Sequence, residues 1–144
     1  VCMAVSSKST LIPNIQRDSD PRGGILSIVD EPVQNVSIIT CNAGAIRSNH
    51  YHLTDWHYMY VVEGAIDYFF KDVQGEDVTY LRVEKGDNIF TPPMEIHATY
   101  FPVDTTLIVS SKLPRDQATY EADTVRVPFV TAENIEEMLA KHAA

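Results

Sequence analysis

The chain has few cysteines and no long apolar run, and its opening does not read as a secretory leader. Cys2 and Cys41 are the only cysteines among 144 residues, and they have no metal-binding spacing, so a disulfide framework is not indicated and a reducing compartment is favoured. Apolar stretches stop short of the roughly 18 residues that cross a membrane. The opening VCMAVSSKSTLIP lacks the basic start and apolar core of a signal peptide. We therefore expect a cytoplasmic protein that does not enter a membrane.

Basic residues are also scarce. Eleven Lys and Arg stand against twenty Asp and Glu, a formal net charge of −9, and the basic residues are scattered singly. Such a charge disfavours binding to a phosphate backbone, so nucleic acid is excluded as an expected partner. The length suits one domain with a real core. We expect a flexible N-terminal segment over residues 1–20 and one domain over residues 21–144.

Short strands dominate the pattern that is present. Apolar or alternating runs separated by turn residues predict an all-β sandwich or barrel, with no helix before residue 130. The tail TAENIEEMLAKHAA predicts one short amphipathic helix packed on the outside. The predicted strands are ILSIV (25–29), VSIIT (36–40), HYMYVV (57–62), AIDYFF (65–70), VTYLRV (78–83), NIFT (88–91), HATYF (97–101) and TLIVSS (106–111).

Four of the five histidines form a candidate site. His50 and His52 alternate along a strand and therefore project to the same face. The turn LTDW separates them from His57, which begins the next strand, and His97 follows TPPMEI on a later strand. Three or four imidazoles from neighbouring strands would suit Zn, Fe, Ni, Cu or Mn. A non-functional alternative, in which two solvated imidazoles lie on an exposed strand edge, stays open at this point.

The spacing around these histidines resembles the first motif of the cupin superfamily. That motif is Gly, five residues, His-x-His, three or four residues, Glu, six residues, Gly. Here Gly44 is followed by AIRSN, then by His50 and His52, then by LTDW; His57 stands in the glutamate position, and Gly64 closes the motif.

The second cupin motif is matched in part. It reads Gly, five residues, Pro-x-Gly, two residues, His, three residues, Asn. Gly86, Pro92 and His97 match, whereas Met94 replaces the glycine and Phe101 the asparagine. The resemblance covers roughly residues 25 to 111.

The resemblance implies a double-stranded β-helix (jelly-roll) barrel with one divalent transition metal ion inside, such as Zn, Fe, Ni or Mn. By carry-over from the family, His50, His52 and His97 are expected ligands. His57 is expected to ligate the metal as well, with a role as an acid–base group beside the metal as the alternative. Inward-facing strand positions should form the pocket wall, with Met59, Phe90 and Phe101 as candidates. Arg47 and Tyr60 are candidates to orient a polar substrate.

A narrower resemblance points to the ketoisomerases and epimerases that modify nucleotide sugars. It is carried by PRGGILSIVDEP, IRSNHYH and TPPMEIHATY. In such relatives histidines transfer protons beside a sugar carbonyl, generally without a metal. His50 or His52 would then be the general base, with Tyr100 as an acid partner.

Three functions are therefore weighed. The first is a metal-dependent enzyme, of isomerase, epimerase or dioxygenase type, acting on a small organic or sugar-like substrate. The second is a metal-free nucleotide-sugar isomerase or epimerase, and the third is a non-catalytic ligand-binding or sensory barrel. In each case a homodimer is expected, because the apolar strands ILSIV and VSIIT precede the motif and one would form an exposed edge.

Overall fold

The computed structural model describes residues 6–143, and most of them lie in β-strands. The prediction of an all-β protein is confirmed. Among these residues, no helix has the length and apolar character needed to cross a membrane. The strands are β1 (Thr10–Ile12), β2 (Ile15–Asp20), β3 (Gly23–Ser27), β4 (Asn35–Cys41), β5 (Ile46–His52), β6 (His57–Glu63), β7 (Ala65–Asp72), β8 (Thr79–Glu84), β9 (Asn88–Thr91), β10 (Glu95–Tyr100), β11 (Thr105–Ser111) and β12 (Thr124–Arg126). The helices are α1 (Gln117–Asp123) and α2 (Ile135–His142).

Two antiparallel five-stranded sheets form the jelly-roll barrel. One has the strand order β1-β9-β6-β11-β4 and the other β12-β5-β10-β7-β8, while β2 and β3 form a separate hairpin. The main core lies between the two sheets, where Val61 and Leu107 of one sheet join Ile66 and Val83 of the other. Alternate residues of each strand point into this core, which leaves the opposite faces for covering elements.

Different elements cover the outer faces of the two sheets. On the first sheet Trp56, Tyr58 and Phe90 form a buried aromatic cluster, against which Ile12 of β1 packs. On the second sheet the residues of α2 pack over Phe69 and Ala98. The predicted amphipathic helix on the outside of the barrel is therefore confirmed.

Three elements differ from the sequence-based expectation. Helix α1 lies before residue 130, where no helix was predicted. No pattern in the sequence signals it, because it spans only seven residues and buries Asp123 alone, so it carries no apolar stripe. Strands β1 and β2 lie within the segment predicted to be flexible, and antiparallel pairing with β9 holds β1 in the first sheet. Residues 1–5 of that segment lie outside the described residues, and the domain boundary at residue 20 stays a prediction.

Strand β4 is an unpaired edge of its sheet. Its outward residues Val36 and Ile38 are 60% and 75% exposed, and it carries no proline or charge of the kind that protects an edge. The hairpin of β2 and β3 also exposes Ile25, at 59%. The expected homodimer stays a prediction, for which this edge and this hairpin are the candidate surfaces.

The turn between β6 and β7 requires glycine. Gly64 has φ of +96°, and a Cβ there would lie 2.6 Å from the carbonyl oxygen of Asp104. Gly44 has a similar φ of +90°, but a Cβ at Gly44 would meet no atom within 4 Å. An alanine at Gly44 would therefore cost backbone strain alone, whereas an alanine at Gly64 would cost the same strain and a steric overlap as well.

We expect Gly44→Ala to lower the free energy of unfolding by about 1–2 kcal/mol, the cost of a left-handed alanine. Gly64→Ala should lower the free energy of unfolding by about 1–3 kcal/mol more than Gly44→Ala does, because the new Cβ overlaps the β10–β11 turn. Urea denaturation of both variants measures the difference. Equal losses would contradict the close approach at Gly64.

Candidate functional site

A small cavity opens into the barrel between the two sheets, with a volume of about 80 Å³. Its lining comes mainly from β4, β5, β6, β10 and β11, together with Asp55, Arg115 and Tyr120. His50, His52 and His57 line the cavity. His97 lies behind them and is fully buried.

The structure brings the four imidazoles together. The ring centroid of His50 is 4.6 Å from that of His52 and 4.8 Å from that of His97. His57 stands 5.4 Å from His97 and 6.1 Å from His52. These separations are short enough for two or more rings to act on one ion or one substrate. We call these four residues the histidine cluster.

Strand register explains the convergence. His50 and His52 share a face of β5, and His97 of β10 is the direct cross-strand partner of His50. His57 begins β6, which belongs to the facing sheet. The cluster therefore joins both sheets of the barrel, and its geometry depends on how they pack together.

An irregular step in β5 precedes the cluster. Ser48 and Asn49 have positive φ values of 69° and 59°, a conformation that costs a non-glycine residue about 1–3 kcal/mol. The Asn49 side chain stabilises it, since its oxygen accepts from the backbone N–H groups of Phe129 and Val130 and its amide donates to the Val130 carbonyl. This step sets the register at which His50 meets β10.

The cluster histidines are held in their neutral form. Burial lowers the pKa of His50 to about 2, and the nearby His97 and His52 lower it further. Burial likewise lowers the pKa of His97 to about 3 and that of His57 well below 6.5. It also lowers the pKa of His52, although Asp123 opposes the shift. Neutral imidazoles can accept a proton or ligate a metal.

Several ring nitrogens of the cluster have no hydrogen-bond partner. His97 Nδ1 lies 3.2 Å from the Glu95 carbonyl oxygen, to which it donates, and this leaves His97 Nε2 buried without a partner. Nδ1 of His50 and Nδ1 of His57 are also buried without one. Because unpaired buried polar atoms are costly, these nitrogens point to a missing partner such as a metal ion or a substrate.

The donor set fits a divalent metal. Among residues 6–143, one group of three or more potential ligands has its donor atoms within 4.8 Å of one another: His50, His52 and His97. His57 falls outside this group, so the geometry gives no support to its expected role as a fourth ligand. The alternative expectation, an acid–base group beside the metal, suits its position in the lining.

His52 has both a hydroxyl group and a carboxylate close to its ring. Its Nδ1 lies 3.2 Å from Thr124 Oγ1 and 4.0 Å from a carboxylate oxygen of Asp123. Asp123 in turn accepts from the N–H groups of Thr54 and Asp55, which ties the turn between β5 and β6 to the end of α1. The ring of His52 is therefore oriented from its outer side, with Nε2 left for the cavity.

A second buried network lies behind His97. The ring of Tyr68 stacks on that of His97 with an interplanar angle of 8°, and its hydroxyl hydrogen-bonds to Ser9 and Thr91 at 2.6 Å. The Ser9 hydroxyl donates to Glu95, whose pKa burial raises to about 7. This network fixes the wall against which His97 rests.

The predicted substrate-contacting residues divide into two groups. Arg47, Met59 and Phe101 line the cavity. Tyr60 and Tyr100 do not, because each occupies the outward position of its strand, next to inward-facing Met59 and Thr99 respectively. Phe90 is also turned outward, into the aromatic cluster with Trp56 and Tyr58.

Three lining residues with ionisable side chains were not predicted from the sequence: Asp55, Arg115 and Tyr120. The Tyr120 ring centroid lies 5.8 Å from that of His52 and 6.2 Å from that of His50. The Arg115 guanidinium lies over this ring, 5.2 Å from its centroid. Burial raises the pKa of the Asp55 carboxyl to about 6. Asp116, the N-cap of α1, would have indicated a helix start but not its docking on the cavity.

Solved structures share this fold. Sugar 3,4-ketoisomerase QdtA from Thermoanaerobacterium thermosaccharolyticum, in complex with TDP, is 15% identical with a TM-score of 0.68, over 94% of this chain and 97% of that chain. The dTDP-4-dehydrorhamnose 3,5-epimerase from Sulfolobus tokodaii is 14% identical with a TM-score of 0.67, over 88% and 81%. At such identities the likeness shows the fold, and the predicted cupin barrel is confirmed.

A third similar structure is that of the capsular polysaccharide assembling protein CapF from Staphylococcus aureus. It is 21% identical with a TM-score of 0.61 over 82% of this chain, and the match covers 32% of the CapF chain. The present chain thus spans about a third of the length of CapF.

Sequence comparison gives two results. A comparison with curated proteins finds no match. The family model described as the polysaccharide biosynthesis C-terminal domain matches residues 18–111. Since this match spans well over half of the sequence, the chain belongs to the polysaccharide biosynthesis C-terminal domain family.

Proposed function

We propose that the protein is an isomerase or epimerase that moves a proton at the carbon beside the carbonyl of a nucleotide-linked sugar. The observation that carries the proposal is the cluster of buried, neutral imidazoles on the wall of a barrel cavity. The fold neighbours include a sugar 3,4-ketoisomerase and a sugar 3,5-epimerase, which favours this function over that of a dioxygenase.

His52 is the general base in this proposal. The Asp123 carboxylate and the Thr124 hydroxyl lie on the Nδ1 side of the ring, so Nε2 is the nitrogen that receives the proton. The nearby carboxylate stabilises the imidazolium that forms, as a carboxylate–histidine pair does in other general bases. Asp123 acts through His52 and is therefore a positioning residue.

The proposed reaction balances without an oxidant or reductant. His52 removes a proton from the carbon beside the carbonyl, and the electron pair of that C–H bond forms a carbon–carbon double bond. The carbonyl oxygen takes a proton from an acid on the protein. In the isomerase reaction a proton returns to the former carbonyl carbon, while the hydroxyl on the carbon that lost its proton gives up its own proton and becomes the new carbonyl. In the epimerase reaction a proton reaches the first carbon from the opposite face, while the enol hydroxyl gives its proton back to the protein and the original carbonyl forms again.

A second candidate is the metal-dependent form of such an enzyme, with a divalent ion such as Zn, Fe, Ni or Mn held by His50, His52 and His97. The buried ring nitrogens without a partner favour it. A bound metal would polarise the substrate carbonyl. His57, outside the three-histidine set, would then take the place of His52 as the base.

Activity on nucleotide-linked keto sugars tests the main proposal. We expect the wild type to isomerise or epimerise a member of such a panel in the presence of a chelator, and His52→Gln to lower kcat about 10²- to 10⁴-fold, the usual contribution of a general base. Tyr51→Phe, which changes the outward neighbour of His52, is the matched control and should keep full activity. Binding without turnover would support the non-catalytic barrel instead.

Elemental analysis tests the metal candidate. If the metal form is correct, the purified protein carries one equivalent of a divalent ion, and His97→Gln removes it because a ligand is lost. His57→Gln should keep the metal, since His57 lies outside the set of three. Metal-free wild-type protein that also fails to bind added divalent ions would contradict this candidate.

The pH dependence of stability tests the neutral state of the cluster. Each cluster histidine has a pKa below 6.5, so the unfolded chain binds protons that the native protein does not, and stability falls as the pH drops below 6.5. Asp55 and Glu95, with pKa values raised to about 6 and about 7, oppose this, because their native forms hold protons through the same range. The four imidazoles together change the free energy of unfolding with pH more than the two carboxyls do.

Metal-free protein should therefore lose stability between about pH 6.5 and pH 5, with each histidine adding a slope of about 1.4 kcal/mol per pH unit. His50→Gln should flatten the slope by one such increment in urea denaturation. Parallel slopes for the variant and the wild type would mean that His50 is not held neutral.

A further inference from the structure

A bulge in β5 places two non-glycine residues in strained backbone conformations. His97 of β10 pairs with His50, but the next residue, Ala98, pairs with Ser48, so Asn49 is an extra residue of β5. Ser48 and Asn49 have φ values of 69° and 59°. Glycine adopts such angles without steric cost, whereas a residue with a Cβ does not.

The bulge also decides which side chains of β5 face the cavity. On a regular strand Arg47 would lie on the opposite face from His50 and His52, because successive side chains alternate. Across the bulge the alternation shifts by one residue, and Arg47 lines the cavity together with the two histidines. Thr99, the cross-strand partner of Arg47, lines it as well. The strained step is therefore part of how the site is built.

The strain at Asn49 is compensated, whereas the strain at Ser48 is not. Asparagine tolerates a positive φ better than most residues do, and three hydrogen bonds with Phe129 and Val130 hold the Asn49 side chain. The Ser48 hydroxyl makes no hydrogen bond within residues 6–143. A glycine at position 48 would allow the same bulge at a lower cost, so the backbone gives no reason for a serine there.

The position of Ser48 supplies a reason. Ser48 is half-buried and lines the cavity, two residues before His50. Strained residues persist at ligand-binding sites, where the surrounding structure holds them in place. A serine hydroxyl both donates and accepts hydrogen bonds, which suits a ligand that itself carries hydroxyl groups.

We propose that Ser48 is a specificity-determining residue whose hydroxyl hydrogen-bonds to one hydroxyl group of the bound sugar. This inference rests on the proposed isomerase or epimerase function. The contact forms when the sugar binds and takes no part in the proton transfer, so it stabilises the ground state and the transition state equally. Its loss should therefore change KM and leave kcat as it is.

Two variants separate the hydroxyl from the strain. Ser48→Ala keeps the Cβ and its strain and removes only the hydroxyl, whereas Ser48→Gly removes both. On whichever nucleotide-linked sugar the wild type turns over, both variants should raise KM about 5- to 10-fold, the effect of one neutral hydrogen bond. In urea denaturation without ligand, Ser48→Gly should raise the midpoint by about 0.3 M, and Ser48→Ala should leave it unchanged.

Met94→Gly is the matched control. Among residues 6–143, Met94 is the remaining non-glycine residue with a positive φ, at 60°. Its side chain is 50% exposed and does not line the cavity. This variant should raise the urea midpoint as Ser48→Gly does, because it relieves the same kind of strain, and it should keep the wild-type KM.

Substrate analogues that each lack one sugar hydroxyl test the contact itself. For one position the analogue should raise the KM of the wild type about 5- to 10-fold and should not raise that of Ser48→Ala further, because the partner hydroxyl is already absent. Equal further losses in the wild type and in Ser48→Ala at every position would overturn the contact. A urea midpoint of Ser48→Gly equal to that of the wild type would overturn the inference too, since serine would then carry no cost.

The outcomes for the wild type distinguish this inference from the function on which it rests. Normal wild-type turnover with an unchanged KM in Ser48→Ala would keep the function and overturn the role of Ser48. If the wild type binds nucleotide-linked sugars without turnover, the function is overturned, and calorimetry decides about Ser48. A Kd raised about 5- to 10-fold in Ser48→Ala would then keep the contact, and an equal Kd would overturn it. Absence of both binding and turnover would overturn both.

Discussion

Four buried imidazoles packed close to one another inside the barrel impose the main constraint on this protein. Because burial and mutual repulsion penalise the charged form, the rings stay neutral, and neutral rings leave nitrogen lone pairs that need a partner. No nearby side chain satisfies Nδ1 of His50, Nδ1 of His57 or Nε2 of His97 within residues 6–143. These nitrogens are therefore available to a partner from outside the chain, which we propose to be a substrate or a metal ion.

The rest of the structure keeps these rings in place. The pairing of β5 with β10 sets His50 opposite His97, the strained step at Asn49 sets that register, and Tyr68 stacks behind His97. Asp123 accepts hydrogen bonds that tie the β5–β6 turn to the end of α1, and its carboxylate also lies 4.0 Å from Nδ1 of His52. The end of α1 and the surroundings of His52 therefore depend on the same carboxylate.

Much of this arrangement could be predicted from local pattern, and the rest could not. Alternation along one strand placed His50 and His52 together, and the resemblance to the two cupin motifs implied the barrel and the convergence of His97 on them. The same alternation excludes Tyr60 and Tyr100 from the cavity, since Met59 and Thr99 beside them point inward. The predicted inward position of Phe90 was wrong, because every residue of the short strand NIFT is buried and the pattern gives no alternation to orient it. Tyr120 and Arg115 were missed because α1 is short and mostly exposed, so that its docking is decided by tertiary hydrogen bonds at Asp55 and Asp123.

The neutrality of the cluster is the central physical claim, and nitrogen-15 NMR of the imidazole side chains in metal-free protein tests it most directly. At about pH 5, where a solvated histidine is protonated, the account predicts that His50, His57 and His97 retain the nitrogen shifts of neutral rings. Imidazolium shifts for these residues at that pH would contradict it, because charged rings could not share the buried space that the structure gives them.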